Sequence, residues 1–125
     1  MSKLPIIIKF IAVIMLMSAS SAQANDEWTE AQKNLLAIDT ALLAVDWGQT
    51  RYGVASPDHV ELNPIIGKNA SNMRIGIYFG TCIIANAIIA DMMPTEYRGL
   101  FLSGVLAVQF YATSKNYRAG VKIKF

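Results

Sequence analysis

Long apolar runs constrain this chain more than any other feature. They cover Ile6–Ala19, Ile75–Ala90 and Tyr97–Thr113. Runs of this length without regular alternation favour helices over strands. The hydrophobic fraction is 54% and the charged fraction 16%, whereas a soluble domain carries about 25% charged residues. That shortfall favours a membrane as the solvent. With 125 residues there is room for one domain. The expected class is all-α: a small helical membrane protein, with an N-terminal signal segment and about three helices, the last two forming a C-terminal hairpin.

Lys3 and Lys9 supply a basic start, Phe10 to Met17 an unbroken apolar core, and Ala22-Gln23-Ala24 a small-x-small exit. This is the pattern of an export signal cleaved after Ala24. Residues 1–24 are therefore expected to be a signal peptide, and 25–125 a single helical membrane domain with a loop at 53–72 and a basic tail at 114–125. The rival is an uncleaved anchor, although 6–19 is short of the roughly 20 residues that span a bilayer.

Trp28 to Tyr52 has no proline, and Leu35, Leu36, Ile38, Leu42, Leu43 and Val45 recur at helical spacing. Asp39, Asp46 and Thr50 share one face, with Ala37, Ala41, Ala44 and Gly48 opposite. In the loop that follows, Asn63-Pro64 can open a short turn that Gly67 ends. Met73 to Met93 is the strongest span, with Asn86 as its one strongly polar residue in the middle. Gly76 and Gly80 form a G-x-x-x-G pair, and Gly99, Ser103 and Ala107 continue a small-residue stripe beyond the Pro94 break. Such stripes let helix backbones approach closely in lipid. They are expected to meet across the hairpin or on a second copy.

Lysine and arginine set the threading. With the mature N-terminus outside, the 51–74 segment lies inside with Arg51, Lys68 and Arg74. The 91–98 turn lies outside with Arg98, and the tail lies inside with Lys115, Arg118, Lys122 and Lys124. Each step obeys the positive-inside rule, so the expected location is a bacterial inner membrane with the C-terminus cytoplasmic.

The candidate polar site is Asp46, Gln49 and Thr50 with Glu61 and Asn63. A carboxylate in mid-helix costs about 2.5–3.5 kcal/mol on insertion scales. Asp46 must therefore be protonated, paired or in a wet cleft, and Arg51 and Arg74 are its expected partners. Such a cluster serves either as an ion, proton or small-ligand site or as a knot that pins the loop. The pattern Asp46-x-x-Gln49-Thr50, then Glu61-x-Asn63-Pro64, ahead of an apolar hairpin, resembles small bacterial and phage integral membrane proteins with no assigned activity. That resemblance covers roughly residues 35–113. It implies the architecture and carries no chemistry.

Other classes are disfavoured. His59 has no second His or Cys at ligand spacing, and Cys82, the single cysteine, sits in an apolar run as a packing residue. No metal and no cofactor is expected. The net charge of +2 without a basic aromatic patch gives no nucleic-acid partner. The segment Arg118 to Phe125 is similar to the last strand of an outer-membrane barrel, but about 100 mature residues are too few for eight strands. The expected partners are the lipid bilayer and a second copy or another membrane protein. The expected role is non-enzymatic helix packing. A transport component using Asp46 is the first alternative, and a small outer-membrane β protein the second.

Overall fold

The structure, a computed structural model, describes residues 27–59 and 63–125. The signal segment with its cleavage site, and Glu61, lie outside the described residues. The fold is all-α, with α1 at Glu30–Ala55, α2 at Asn72–Met92 and α3 at Thr95–Arg118. No strand occurs among the described residues, which removes the support for the β alternative.

Local chemistry fixes the helix ends. Thr29 caps α1 through a reciprocal box: Gln32 N donates to Thr29 Oγ1 and Thr29 N to Gln32 Oε1, both at 3.2 Å. α1 continues three residues past the expected Tyr52, to Ala55. Nothing disfavours helix before Ser56, which Pro57 pushes to extended backbone (ψ 130°). Ser71 caps α2 by accepting from Arg74 N at 3.2 Å. α3 also overruns its expected end near Thr113 and closes at Gly120, whose φ of +78° suits glycine. There Gly120 N donates to Tyr117 O and Val121 N to Asn116 O, both at 3.0 Å. The loop is therefore 56–71 rather than 53–72, and the tail 119–125 rather than 114–125.

α1 is the central element. It packs along α3 most extensively and along α2 next, while α2 and α3 touch little beyond their turn. Between α1 and α2 lies an apolar core of Leu43, Ile66, Ile75 and Phe79, bordered by Trp47 and Tyr78. Trp47 stacks on Phe79 with ring centroids 6.5 Å apart. The expected glycine contact across the hairpin is corrected here. A Cβ added at Gly80 or Gly99 would meet nothing within 4 Å, and Ser103 is exposed. Gly76 does pack closely, but on Trp47 of α1, 3.4 Å from where a Cβ would sit. Short turns make helices neighbours in the chain, but here α1 offers both α2 and α3 a more complementary surface.

The tail returns over α1. Lys124 N donates to Gly48 O at 3.0 Å, and Phe125 meets the Trp47 ring edge-on at 6.0 Å. Gly48 is required for this approach: a Cβ there would lie 2.5 Å from Ile123 Cγ2 and 3.0 Å from the Phe125 ring.

Polar side chains are buried alongside the apolar core, and large apolar side chains face outward. Asp39 and Arg98 are fully buried, with Gln32, Gln49, Thr50, Asn86 and Thr113 nearly so. Outward lie Ile77, Ile84 and Ile88 on α2, and Leu100, Val108, Phe110 and Tyr111 on α3. On α2 between Ile75 and Ala90, and on α3 between Gly99 and Ala112, the exposed polar groups are the hydroxyls of Thr81, Ser103 and Tyr111.

Candidate polar interior

The inward face of α1 carries Gln32, Asp39 and Asp46 at seven-residue steps, followed by Gln49 and Thr50. This spacing keeps them on one side of a helix. Gln32, Asp39, Asp46 and Gln49 each meet polar groups from α2 or α3, so the interior is a stack of polar layers.

The first layer is built around Arg98. Pro94 has no N–H and ends α2, which leaves the last carbonyls of that helix without their usual donors. Arg98, four residues later, supplies them. Its Nε donates to Ala90 O at 2.8 Å, and one terminal nitrogen donates to Met93 O at 3.0 Å and Asp91 O at 3.4 Å. The other terminal nitrogen donates to Gln32 Oε1 at 3.3 Å, and Gln32 Nε2 donates to Thr95 O at 2.9 Å. The guanidinium also lies 4.6 Å from the centre of the Trp28 ring, whose Nε1 donates to Asp91 Oδ1 at 2.9 Å. A cation at a helix C-terminus is favoured by the helix dipole as well as by the carbonyls. The sequence reading gave Arg98 no partner; it is fully buried and ties all three helices together.

The second layer pairs Asp39 of α1 with Asn86 of α2, whose side chains face one another. The geometry falls short of a hydrogen bond, so neither Asp39 oxygen and neither Asn86 amide atom has a partner. Buried polar atoms of this kind are rare and costly.

The third layer holds most of the candidate residues. Asn116 Nδ2 donates to Asp46 Oδ1 at 3.4 Å and to Gln49 Oε1 at 3.3 Å, and Gln49 Nε2 donates to Thr113 O at 3.2 Å. Thr50 is buried beside them. Asn63 sits apart: its Oδ1 accepts from Ile65 N and its Nδ2 donates to Tyr78 Oη, each at 3.0 Å. It pins the 64–67 turn to α2, as expected for a residue ahead of Pro64, and Gly67 takes a φ of +84° where that turn ends. Arg74, an expected partner of Asp46, instead donates to Ile65 O at 2.9 Å.

A cleft of about 260 Å³ opens between the second and third layers. Leu43 and Asp46 of α1 form its floor, Tyr78, Cys82 and Asn86 one wall, and Phe101, Val105 and Gln109 the other. Gln109 Oε1 is buried without a partner, like the Asn86 amide. No group of three or more His, Cys, Asp or Glu side chains converges among the described residues. Cys82 is a half-buried free thiol beside the apolar core, and His59 lies edge-on to Tyr52 at 5.9 Å.

The sequence identified the inward face of α1 but missed its partners Arg98, Gln109, Thr113 and Asn116. One signal was present for Arg98: an arginine four residues beyond a helix-ending proline. No known protein family, characterised protein or solved structure matches the chain.

Proposed function

We propose that this chain is a small integral inner-membrane protein that acts by packing its helices against a second copy or a membrane partner. The observation that supports this is the inversion of polarity: Asp39, Asn86 and Arg98 inside, Ile77, Ile84, Leu100, Val108 and Phe110 outside. Extended exposed apolar surface marks a lipid or protein interface. Among the described residues, α2 is the one helix long and apolar enough to cross a bilayer by composition alone. α1 and α3 are less apolar because they carry the buried Gln32, Asp39, Gln49, Thr50, Arg98 and Thr113 and exposed charges near their ends. At 1.5 Å per residue the three helices measure roughly 39, 31 and 36 Å, enough for a hydrocarbon core of about 30 Å.

Among the described residues nothing lies within 4 Å of a Cβ added at Gly80 or Gly99, and Ser103 is exposed, which leaves this small-residue surface available to a neighbour. In this proposal the mature N-terminus is periplasmic and the C-terminus cytoplasmic, following the basic residues. Alkaline extraction of membranes is the test. The protein should stay in the pellet, and release into the supernatant would overturn the proposal.

One observation favours a second function. The unpartnered amides of Asn86 and Gln109 line the same cleft as Asp46. A transport component that binds a small cation there would use them as ligands. Its signature is loss of function in Asp46→Asn with folding intact, a substitution that a packing protein tolerates.

A further inference from the structure

We infer that the groove beneath the returning tail is a binding site for the headgroup of an anionic phospholipid. This site presupposes the bilayer placement proposed above. The groove encloses about 890 Å³ between α1, the last turns of α3 and residues 120–123. It exists because Gly120 reverses the chain at a φ of +78° and because Lys124 N is held on Gly48 O. The tail therefore forms one wall of a cleft and does not trail into solvent.

The lining is amphiphilic. Arg118 and Lys122 contribute two cations, and Ser114 adds a hydroxyl. No carboxylate lines the groove to neutralise them. Arginine and lysine in this setting match a phosphodiester, the arginine through its planar fork and the lysine as a point charge. Val45, Val121 and Tyr117 line the same space. A free inorganic anion would leave these walls uncovered, whereas the glycerol and upper acyl carbons of a lipid would cover them. The depth also fits. Phe110 and Tyr111 end the exposed apolar band of α3, and Arg118 lies seven residues beyond Tyr111, a rise of about 10 Å. That step leads from hydrocarbon into the headgroup layer. Basic pockets between helices on the cytoplasmic side bind anionic headgroups by this chemistry.

The test uses the full chain in nanodiscs of phosphatidylcholine, titrated with phosphatidylglycerol and read by native mass spectrometry of the released protein. The wild type should retain phosphatidylglycerol in preference to phosphatidylcholine. Arg118→Gln with Lys122→Gln should weaken retention at least ten-fold, at about five-fold per cation. Lys68→Gln, a cation of the same membrane side outside the groove, should change it less than two-fold. Lys122→Glu alone should weaken it as much as the double variant, and circular dichroism should show unchanged helix in all three. Equal losses from Lys68→Gln and the double variant would reduce the effect to diffuse charge and overturn the site. Displacement of the lipid by millimolar inorganic phosphate would overturn it in favour of a small-anion site. Alkaline extraction separates the two levels of failure. Wild type released from membranes removes the bilayer placement, and the site with it. Wild type retained in membranes without phosphatidylglycerol preference removes the site alone.

Discussion

The two ends of α3 treat the same kind of side chain in opposite ways. Arg98, at the start, is fully buried and directs its guanidinium at three carbonyls of α2 and at Gln32. Arg118, at the finish, is exposed and lines an open groove. What differs is the supply of acceptors. Pro94 leaves the end of α2 with one closing backbone bond, Met93 N to Ala90 O at 3.2 Å, whereas Ala119, Gly120 and Val121 close α3 with backbone donors of its own. The fate of a cation at a helix end is thus decided by whether the neighbouring backbone has already satisfied itself. Sequence distance from the apolar run does not decide it.

The largest expected effect is at the closed end. Arg98→Ala removes the side-chain donor to the buried Met93 carbonyl, the shorter of the two bonds on Ala90 O and the bond to Gln32 Oε1, at about 1–3 kcal/mol each and not additively, so a loss of about 3–4 kcal/mol is expected. Thermal unfolding in detergent measures it. Arg98→Lys should recover only part of the loss, because one ammonium cannot match the fork. Full tolerance of alanine would mean that both ends of α3 are equally expendable, and the contrast would fail.

Gly48→Ala probes the open end, where the tail alone closes the structure. The added methyl collides with Ile123 and Phe125, and overpacking of this kind costs about 1–3 kcal/mol. The tail should lift away, so trypsin should cut after Lys122 several-fold faster while the helices persist. Unchanged cleavage would show that the tail does not depend on the Gly48 notch.

Asp39→Asn tests the layer between the two ends. It replaces a buried carboxylate that has no hydrogen-bond partner, so stability should rise by about 1 kcal/mol. A fall in the unfolding midpoint would mean that the Asp39 carboxylate is matched in the assembled protein. The smallest effect on folding is expected for Gly80→Leu, within about 0.5 kcal/mol, because the position is open. Its consequence should appear in self-association, read by cross-linking in membranes. Loss of the folded monomer would instead restore contact between α2 and α3.

Helix number and order were legible in the sequence because apolar runs, Pro94 and the turn residues around Asn63 are local signals. The inward face of α1 was legible for the same reason: Asp39, Asp46 and Thr50 declare it by spacing alone. Which helix that face would meet was not legible. The choice of α3 over the adjacent α2–α3 pairing depends on Thr113 and Asn116 arriving opposite Gln49, a match of two distant surfaces. The tail escaped notice for a similar reason. Its alternation of glycine and apolar residues suggested a strand, while its real partner was a helix carbonyl exposed by the absence of a Cβ at Gly48.

The polar layers also set a schedule for synthesis. Gln32 finds Arg98 only 66 residues later, Gln49 finds Thr113 64 later, and Asp46 finds Asn116 70 later. α1 therefore leaves the ribosome with its hydrophilic side uncovered, and nothing earlier in the described chain can shield it. These layers can close only when nearly the whole polypeptide has been made. A chain truncated before residue 98 lacks every partner in these three pairs, whereas one truncated after 116 lacks only the last turn of α3 and the returning tail.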